Sequence, residues 1–520
     1  GATSVTGGTI KISNATGKTA PIFDCNATLN DFDCNVGNGD TLKSLKNFTV
    51  SGNFTITTGV FQLDPGVQLT VNGTTSLNGS ESLILKSNAS ATASFINNGS
   101  IVVSGTVKVE RYIAGYTSSA DGWHLLSSPV NNFTISGSDF APGSLDDFYR
   151  WDEVNNYWEN WKPGNVFTSF ENGRGYLVAY QDTATKNFSG NLNSSDITFS
   201  NLTLTGDSNN GWHLLGNPFP CALKWNDDNW TLTGIGGVAK IWDEAAGNYT
   251  DISANGIIPA TQGFFVQAAN STNTITIPKI SRTHSSTNFY KNQDKISGKL
   301  ELVASGEVNS FYDKSYVVFK KNATADYDLE FDSHKLFGNE NAPQLYSIIS
   351  EQEKLSTNYL PQVSINTTVQ LGLKIGISGT YFIEANNLNS FGALTEIILE
   401  DLFTGIFHDF RQDSIYSFNA NPEDDEARFL LHFYDVTGIN ETNAAADVKI
   451  WTFDKNIYIK NNNSKTKKAY YQIYNIMGQK IIEGEIKNNS EIVLHLNVRE
   501  GNYILRFVSD KVYTKKIFIK

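Results

Sequence analysis

The sequence predicts an all-β protein, and composition and patterning support this. Its 520 residues include 32 Phe, 22 Tyr and 9 Trp beside 42 Gly and a single Met. Aromatic side chains fit the pleated surface of a sheet, while glycine supplies turns. Short alternating runs such as FTITT and VQLTV recur between glycines, as half-buried strands require. At about 150 residues per domain, we expect several β domains in tandem.

The net charge argues against nucleic acid as a partner, and the hydropathy pattern argues against a membrane-spanning helix. The net charge is −13, which would repel duplex DNA, so nucleic acid is not an expected partner. A stretch of about 18 consecutive apolar residues, the length that a membrane-spanning helix needs, does not occur. The first ten residues also lack the basic start and apolar run of a signal peptide. We therefore expect a chain that does not span a membrane and whose export signal has been removed.

Residues 1–110 are predicted to form a β-solenoid-like region or, as the alternative, a simple meander. Strand-like runs with few charges are separated by Gly52, Gly59, Gly66 and Gly73, which fall at intervals of seven. Regular spacing of this kind indicates stacked strand-and-turn rungs, each burying its apolar face on the next. Seven residues are shorter than a full rung, so hairpin turns remain an alternative interpretation.

Residues 111–200 and 201–290 are predicted to be two copies of one β domain. DGWHLLSSP, starting at Asp121, recurs as NGWHLLGNP, starting at Asn210, an offset of 89. RWDEVNNYW is echoed by IWDEAAGNYT, and GRGYLVAY by TQGFFVQA, in the same order and at nearly the same offset. Ordered blocks at a constant offset indicate an internal duplication.

Residues 291–440 are predicted to form a β-sandwich, and residues 441–520 a separate last domain. Longer strand-like runs such as KLELVAS, SYVVFKK and TEIILED dominate the first of these segments. ETNAAAD then has the small, polar composition of a linker. The last domain returns to strongly alternating strands and ends in a basic run, KKIFIK.

The last domain resembles the type A C-terminal sorting domain of proteins exported by the type IX secretion system of Gram-negative bacteria. The resemblance rests on YNIMGQKI, GNYILRF and the closing KKIFIK. It implies an Ig-like fold and a sorting signal that includes Gly478, Gly501, Tyr503, Lys515, Lys516 and Lys520. It also implies the translocon and an outer-membrane shuttle or sortase as partners, and a cell-surface location. A sortase normally removes such a domain.

Aromatic residues beside acidic ones in the duplicated region are the candidate glycan-binding residues. Apolar faces of sugars lie on aromatic rings, and their hydroxyls need polar side chains nearby. The candidates are Trp151, Trp158, Trp161, Trp225, Trp230 and Trp242. The alternative is that the repeated Trp151 and Trp242 are core residues. Trp158 and Trp161 have no evident counterpart in the second copy, which favours them as surface residues.

Two further sites are predicted near the start of the chain. Cys25 and Cys34 are close enough in sequence for a small disulfide loop, which would leave Cys221 unpaired. Asp31, Asp33 and Asn35 place oxygen atoms at alternate positions before turn glycines, as a calcium-binding loop does. No bidentate glutamate follows, so a solvated turn is the alternative.

These features predict a secreted cell-surface adhesin or glycan-binding protein, with glycans or neighbouring cell surfaces as ligands. Familiar catalytic motifs such as HExxH and GxSxG are missing. One alternative is a polysaccharide-degrading hydrolase using paired carboxylates, drawn from Asp146, Asp147, Glu153, Asp227, Asp228, Asp243 and Glu244. The other is a filament or surface-layer subunit. Hosts of the resembled secretion family modify Asp-Ser/Thr-apolar triplets, which makes Thr41, Thr183 and Ser414 candidate O-glycosylation sites.

Overall fold

A computed structural model describes most of the chain. The described residues are 6–13, 21–117, 121–162, 164–206, 210–270, 272–285, 298–351, 353–361, 366–392, 395–435, 448–453, 455–461, 469–475, 479–509 and 512–519. They contain strands and two short 3-10 turns, so the all-β prediction is confirmed. The chain divides into two compact units, unit 1 (Gly1–Val436) and unit 2 (Thr437–Lys520). Among the described residues, we find no helical segment with the length and apolar character that a membrane crossing requires.

Unit 1 begins with a parallel β-solenoid, which confirms the first of the two alternatives for this region. Its strands are β1 (Thr9–Ser13), β2 (Ile22–Phe23), β3 (Thr28–Leu29), β4 (Asp31–Asn35), β5 (Thr41–Ser44), β6 (Phe48–Val50), β7 (Phe54–Thr58), β8 (Val60–Leu63), β9 (Gln68–Val71), β10 (Thr75–Leu77), β11 (Leu83–Leu85), β12 (Ser94–Asn97), β13 (Ile101–Val103) and β14 (Val107–Ile113). Each turn gives one strand to each of three sheets, ordered β1-β4-β7-β10-β13, β2-β5-β8-β11-β14 and β3-β6-β9-β12. Strands of successive turns pair in parallel.

The seven-residue glycine spacing corresponds to one face of the solenoid, and three such intervals make a full turn. Gly52 and Gly73 occupy the same corner on successive turns, and the Gly73 amide donates to the Gly52 carbonyl over 2.9 Å. A Cβ atom on Gly73 would lie 2.3 Å from that carbonyl oxygen. Gly59 and Gly66 have positive φ angles of 81° and 85°, a conformation that glycine adopts at little cost. The spacing therefore reflects corners at which the chain turns or stacks closely.

The solenoid interior is filled by aromatic side chains from successive turns. Phe32 and Phe54 are paired neighbours on β4 and β7, and their rings stack with centroids 5.6 Å apart. Phe61 packs edge-on against Phe54 at 5.3 Å. All three are essentially inaccessible to solvent. Alternation along each strand directs these residues inward and Thr, Asp and Asn outward.

The duplicated region follows the solenoid and contains the same four-stranded sheet twice, with different additional strands in each copy. The first copy has β15 (His124–Leu126), β16 (Phe133–Thr134), β17 (Asp147–Asp152), β18 (Tyr157–Asn160), β19 (Ser169–Phe170), β20 (Tyr176–Ala179) and β21 (Ala184–Gly190). The second has β22 (Ile197–Leu202), β23 (Trp212–Gly216), β24 (Ala222–Lys224), β25 (Thr231–Thr233), β26 (Ala239–Asp243), β27 (Asn248–Ile252), β28 (Ile257–Ile258), β29 (Gly263–Gln267), β30 (Asn273–Ile277), a 3-10 turn (Lys279–Ser281) and β31 (Arg282–Thr283). Each copy is built on a four-stranded antiparallel sheet, β15-β20-β17-β18 in the first and β23-β29-β26-β27 in the second.

Strand β14 belongs to the solenoid and to the first copy at once. It pairs in parallel with β11 and in antiparallel with β21. The equivalent antiparallel pair in the second copy is β22 with β30. One hydrophobic core accordingly runs from the solenoid residue Leu29 to Leu192 of the first copy. No linker separates the two regions.

A β-sandwich completes unit 1, as predicted. Its strands are β32 (Lys299–Gly306), β33 (Tyr312–Phe319), β34 (Ser333–His334), β35 (Gln344–Ile348), β36 (Lys354–Leu360), β37 (Asn366–Lys374), β38 (Gly379–Asn386), β39 (Thr395–Asp401), β40 (Ile406–Asp409), β41 (Ile415–Ala420) and β42 (Phe429–Asp435), with a 3-10 turn at Leu388–Ser390. They form one sheet ordered β40-β39-β42-β37-β35-β36-β33-β32-β38-β41, with β34 against β36. Strands β41 and β42 are far apart in this order, yet the Phe418 and Phe429 rings lie 5.0 Å apart. The sheet therefore folds over on itself around a single core.

The second copy and the sandwich are joined by buried polar contacts. Lys240 forms an ion pair with Asp251, and both side chains are almost fully buried. The Lys240 Nζ also lies 2.7 Å from Ser356 Oγ of the sandwich. Asp251 also accepts hydrogen bonds of 2.6 Å from Ser356 and Thr357. Buried charges are tolerated when they are paired and hydrogen-bonded in this way. These contacts fix the second copy against the sandwich.

Unit 2 is a seven-stranded β-sandwich with a core of its own. Its strands are β43 (Val448–Phe453), β44 (Asn456–Asn461), β45 (Ala469–Asn475), β46 (Lys480–Ile486), β47 (Ser490–His495), β48 (Gly501–Val508) and β49 (Val512–Ile519). They form a three-stranded sheet, β43-β44-β47, and a four-stranded sheet, β46-β45-β48-β49. Ile457, Ile473, Leu505 and Phe507 are fully buried between the sheets.

Candidate functional site

The candidate site is an aromatic cluster that connects the two copies. Trp151 and Trp158 are directly opposite one another on β17 and β18, with ring centroids 5.1 Å apart. Phe265 of the second copy lies 6.3 Å from the first ring and 6.0 Å from the second. Tyr249 continues the series at 5.7 Å from Phe265, and Trp242 follows at 5.1 Å from Tyr249. We call these five residues the aromatic cluster.

The cluster is partly open to solvent. Phe265 is buried at its centre, whereas Trp151, Trp158, Trp242 and Tyr249 remain partly exposed. Strand β18, which carries Trp158, ends its sheet, whereas β27, which carries Tyr249, packs against the sandwich through Asn248 and Asp251. A partly exposed ring on a terminal strand such as β18 offers an apolar face of the kind on which a sugar ring stacks.

Hydrogen bonds fix two of the indole rings. Trp151 Nε1 donates to the Trp212 carbonyl oxygen of the second copy over 2.7 Å. Trp242 Nε1 donates to Glu244 over 2.6 Å. Glu244 also accepts from the backbone amide of Gly122 in the first copy. Burial raises the pKa of Glu244 above its ordinary value, although these hydrogen bonds to the carboxylate oppose the rise. The cluster is therefore held by contacts from both copies.

Trp158 has a counterpart in the second copy, which corrects the interpretation that it has none. The structure pairs Trp151 with Trp158 and, at the equivalent places, Trp242 with Tyr249. Tyr249 follows Trp158 by 91 residues, the offset that also separates the two tryptophans. That offset could have identified Tyr249 as the counterpart of Trp158, but the change from tryptophan to tyrosine concealed the match. Phe265 and Trp212 were also missed, because both lie in blocks that show only apolar strand patterning.

Three of the predicted glycan-binding tryptophans lie in hydrophobic cores, so the structure does not support them as platforms. Trp225 is fully buried, and its Nε1 donates to the Gly237 carbonyl oxygen over 2.8 Å. Trp230 packs against it with centroids 4.6 Å apart and is 8% exposed. Trp161 is likewise 8% exposed, in the core shared by the solenoid and the first copy. A ring that is buried on both faces cannot stack on a ligand.

Most of the carboxylates considered for hydrolysis accept hydrogen bonds from groups of the protein. Glu153 is buried and accepts a hydrogen bond of 2.7 Å from the Thr205 amide. Asp243 accepts from the Tyr312 hydroxyl over 3.0 Å, and Asp227 accepts from Ser281 over 2.6 Å. Asp146 accepts from the amides of Gly143 and Gln181. Asp147 accepts from the Tyr149 hydroxyl over 3.0 Å. Asp228 adopts a positive φ of 69° in a turn. Each of these contacts stabilises local structure.

The equivalent histidines of the two copies are bound to separate backbone carbonyls. His124 Nε2 lies 3.0 Å from the Ala114 oxygen, and His213 Nε2 lies 2.8 Å from the Thr203 oxygen. Burial lowers the pKa of both rings, although these contacts oppose the shift. In each case the partner lies ten residues earlier in the chain, so the contact is a repeated structural feature.

The predicted calcium ligands lie along one strand and do not converge. Asp31, Asp33 and Asn35 alternate on the outer face of β4, so at about 3.3 Å per residue the first and last are about 13 Å apart. Each of them binds a neighbouring residue. Asp31 accepts a hydrogen bond from the Asn53 amide, and Asp33 pairs with Lys11 and accepts from the Thr57 hydroxyl. Asn35 accepts from the Thr58 hydroxyl. Within the described residues, no group of three or more His, Cys, Asp or Glu side chains is placed to hold a metal ion.

All three cysteines are free thiols in the structure, so the disulfide predicted between Cys25 and Cys34 is not formed there. Cys34 points into the solenoid from β4 and is fully buried, and this burial raises the pKa of its thiol to about 12. Cys25 is half-buried against the same core. Cys221 is buried in the core of the second copy.

The four described residues of the predicted sorting signal lie on one sheet of unit 2. Gly501 and Tyr503 lie on β48, where the buried Tyr503 donates its hydroxyl to the Arg499 carbonyl oxygen over 2.7 Å. Lys515 on β49 donates to the Ile450 carbonyl oxygen, and Lys516 pairs through its backbone with Ile504. Gly478 and Lys520 lie outside the described residues.

The candidate O-glycosylation residues differ in accessibility. Thr183 is exposed, and its hydroxyl accepts a hydrogen bond of 2.9 Å from the Gly115 amide. Thr41 on β5 and Ser414 before β41 are half-buried. Thr183 is therefore the most accessible of the three.

Comparison with protein families assigns the chain to one family. The family described as a domain of unknown function, DUF8693, matches twice, over residues 38–254 and 236–433. The chain belongs to this family, whose matches take in most of the solenoid, both copies and the sandwich.

Among curated proteins, the chain is similar to the minor fimbrium subunit Mfa5 of Porphyromonas gingivalis. The two are 24% identical over 499 residues, which cover 85% of this chain. The chain spans 39% of the length of that subunit.

Proposed function

We propose that this chain is a bacterial cell-surface protein that acts as an adhesin or fimbrium-type subunit. The observation that carries the proposal is the similarity to a minor fimbrium subunit across most of this chain. The architecture agrees with such a role, because solenoid, duplicated copies and sandwich are joined by shared strands and buried contacts. Tightly joined β domains suit a protein that holds a ligand at a distance from the cell.

The aromatic cluster is the proposed ligand site, with a glycan as its ligand. Trp158 is its most suitable platform, because it lies on the terminal strand β18 and is partly exposed. Asn160 lies two residues from Trp158 on β18, hence on the same face, and its amide supplies a polar group for hydroxyls. Apolar rings with a few polar side chains nearby are the usual composition of a ligand site.

Replacing Trp158 with alanine is expected to weaken glycan binding at least tenfold, which corresponds to about 1.4 kcal/mol. The measurement is binding of the full chain to a printed glycan array, followed by titration of the best ligand. Tyr157→Ala is the matched control, because Tyr157 is 46% exposed on the same strand and points to the opposite face. Blank arrays with the unmodified chain, or equal loss in both variants, would contradict the glycan proposal.

Export through the type IX pathway, with unit 2 as the signal, is the proposed route to the surface. The support is the resemblance of its motifs to a type A sorting domain, together with the compact, separate core of unit 2. Its partners would be the translocon and a shuttle or sortase at the outer membrane.

Deletion of residues 437–520 is expected to abolish surface exposure in a bacterium that has this pathway. Protease accessibility on intact cells, read with an antibody against unit 1, measures the effect. A foreign reporter fused to residues 437–520 is the positive control and should reach the surface. Undiminished surface exposure of the deleted chain would exclude unit 2 as the export signal.

A further inference from the structure

The two units carry charge of opposite sign. Residues 437–520 contain 14 Lys and Arg against 8 Asp and Glu, a net charge of +6. Residues 1–436 contain 26 Lys and Arg against 45 Asp and Glu, a net charge of −19. Copies of this chain therefore offer each other complementary surfaces, and such complementarity steers association and selects partners.

Unit 2 also presents large apolar side chains on the outer face of its four-stranded sheet. Tyr470, Ile504 and Phe518 are 46%, 37% and 38% exposed, on strands β45, β48 and β49. Arg506 is exposed two residues beyond Ile504 on the same face. On the edge strand β46 of this face, Glu483 and Glu485 are also exposed, and Glu483 is paired with Lys480. The solvent face of an antiparallel sheet is ordinarily polar, so apolar residues beside a cation indicate a surface for a partner. We call Tyr470, Ile504, Arg506 and Phe518 the outer face.

An exposed acidic loop of unit 1 lies between β41 and β42. In the run Glu423–Glu426 all four side chains are carboxylates. The side chains of Asp424 and Glu426 form ion pairs with Arg428 and Lys354 of the same unit. Glu423 and Asp425 are exposed. Phe337 is 42% exposed, and its ring centroid lies 5.7 Å from that of Tyr346. Because the Tyr346 hydroxyl donates to Glu426, Phe337 lies near this loop. Lys354 and Lys374 lie 5.8 and 5.9 Å from the centroid of the Phe337 ring. The exposed carboxylates that complement Arg506 are therefore Glu423 and Asp425, and Phe337 supplies the apolar contact.

We propose that the outer face of one chain binds the acidic loop of a second copy, so that chains associate head to tail. A heterologous contact of this kind leaves a complementary surface open at each end, and repetition produces a filament unless the rotation closes a ring. This inference rests on the proposed fimbrium-type role and names the self-assembly contact of chains that retain unit 2. The occupant is a second copy, because the charge complement is present within the chain itself.

Sedimentation velocity of the full chain tests the contact. In 50 mM NaCl the mass should rise with protein concentration, and 500 mM NaCl should reverse the association, since salt screens charge pairs at the surface. Ile504→Asp and Glu423→Lys should each reduce association at least tenfold. Val493→Asp is the matched control, because Val493 is 55% exposed on the other sheet of unit 2 and should leave association unchanged.

A charge exchange makes the test specific. Arg506→Glu and Asp425→Lys should each weaken self-association, whereas a mixture of the two variants should form a complex through the reversed pair. Monomers under every condition, or equal loss in Val493→Asp, would overturn the contact. A salt-dependent change in sedimentation at constant monomer mass would also overturn it, because the attraction would then act within one chain. None of these results bears on surface exposure or glycan binding, so failure here removes this contact and leaves the proposed role as a surface adhesin standing.

Discussion

Replacing Arg428 with alanine is expected to lower the free energy of unfolding of the β-sandwich by about 3–5 kcal/mol. Arg428 Nε and Nη2 donate to the two carboxylate oxygens of Asp401 over 2.9 and 2.7 Å. Asp401 is fully buried and also accepts from the Tyr416 hydroxyl over 2.9 Å. Loss of the guanidinium would leave a carboxylate buried without its counter-ion, which is the costly way to break such a pair.

The loss should depend on pH in a defined direction. Burial opposes ionisation of Asp401, but the hydrogen bonds from Arg428 and Tyr416 and the guanidinium charge outweigh it and hold the pKa below its ordinary value. A lowered pKa in the folded state stabilises the protein above the unfolded pKa of about 3.9. That contribution disappears as the pH falls through the folded value. The variant should therefore differ most from the unmodified chain at neutral pH.

Amide hydrogen exchange at pH 7, measured on peptides from β39 and β42, tests this prediction. Tryptophan fluorescence would not report on the sandwich, because residues 299–435 contain no tryptophan. The double variant Arg428→Met with Asp401→Leu is the control and should recover most of the loss, because both charges are removed together. Unchanged protection in Arg428→Ala would show that the pair contributes little.

Replacing Phe54 with alanine is expected to destabilise the solenoid by about 3–5 kcal/mol. Phe54 is fully buried and touches rings on its own turn and on the preceding one. The variant would leave a cavity that the stacked turns cannot close without shifting. Because each turn is stabilised mainly by its neighbours, the loss should spread to adjacent turns.

Hydrogen exchange again provides the measurement, with the sandwich peptides as an internal reference. Protection should fall in peptides from β4 to β9 and stay constant in β32 to β42. Thr55→Ala, the adjacent residue on the outer face, is the matched control and should change stability by no more than about 0.5 kcal/mol. Equal effects at the two positions would contradict the assignment of inward and outward faces.

Much of the fold follows from local pattern, but the extent of each turn does not. Gly52, Gly59, Gly66 and Gly73 predicted a repeat, and the structure shows that each interval is one of three faces. The dual role of β14 had no local signal, because a strand's second partner depends on long-range pairing with β21. The Asp31 to Asn35 spacing fits a loop as well as a strand, so only the strand geometry separates its carboxylates.

The candidate site was predicted in part. Residue type alone predicted six tryptophans as glycan-binding residues. Whether each ring is buried depends on which residues pack against it, and sequence spacing does not reveal those residues. Trp225 and Trp242 both stand beside acidic residues, yet one is fully buried and the other reaches the inter-copy cluster. The cluster itself arises because the two sheets bring Trp158 and Phe265 together from positions more than one hundred residues apart.

The shared strand β14 has a mechanical consequence. A tensile load on the solenoid reaches the first copy through the backbone of β14 and through its antiparallel ladder with β21, which runs from Val107 and Gly190 to Ile113 and Ala184. The chain enters this ladder at Val107 and leaves it at Gly190, which pair at the same end, so tension between the solenoid and the second copy pulls the ladder open pair by pair from that end. Resistance to extension at this junction therefore depends on the hydrophobic core that the solenoid and the first copy share.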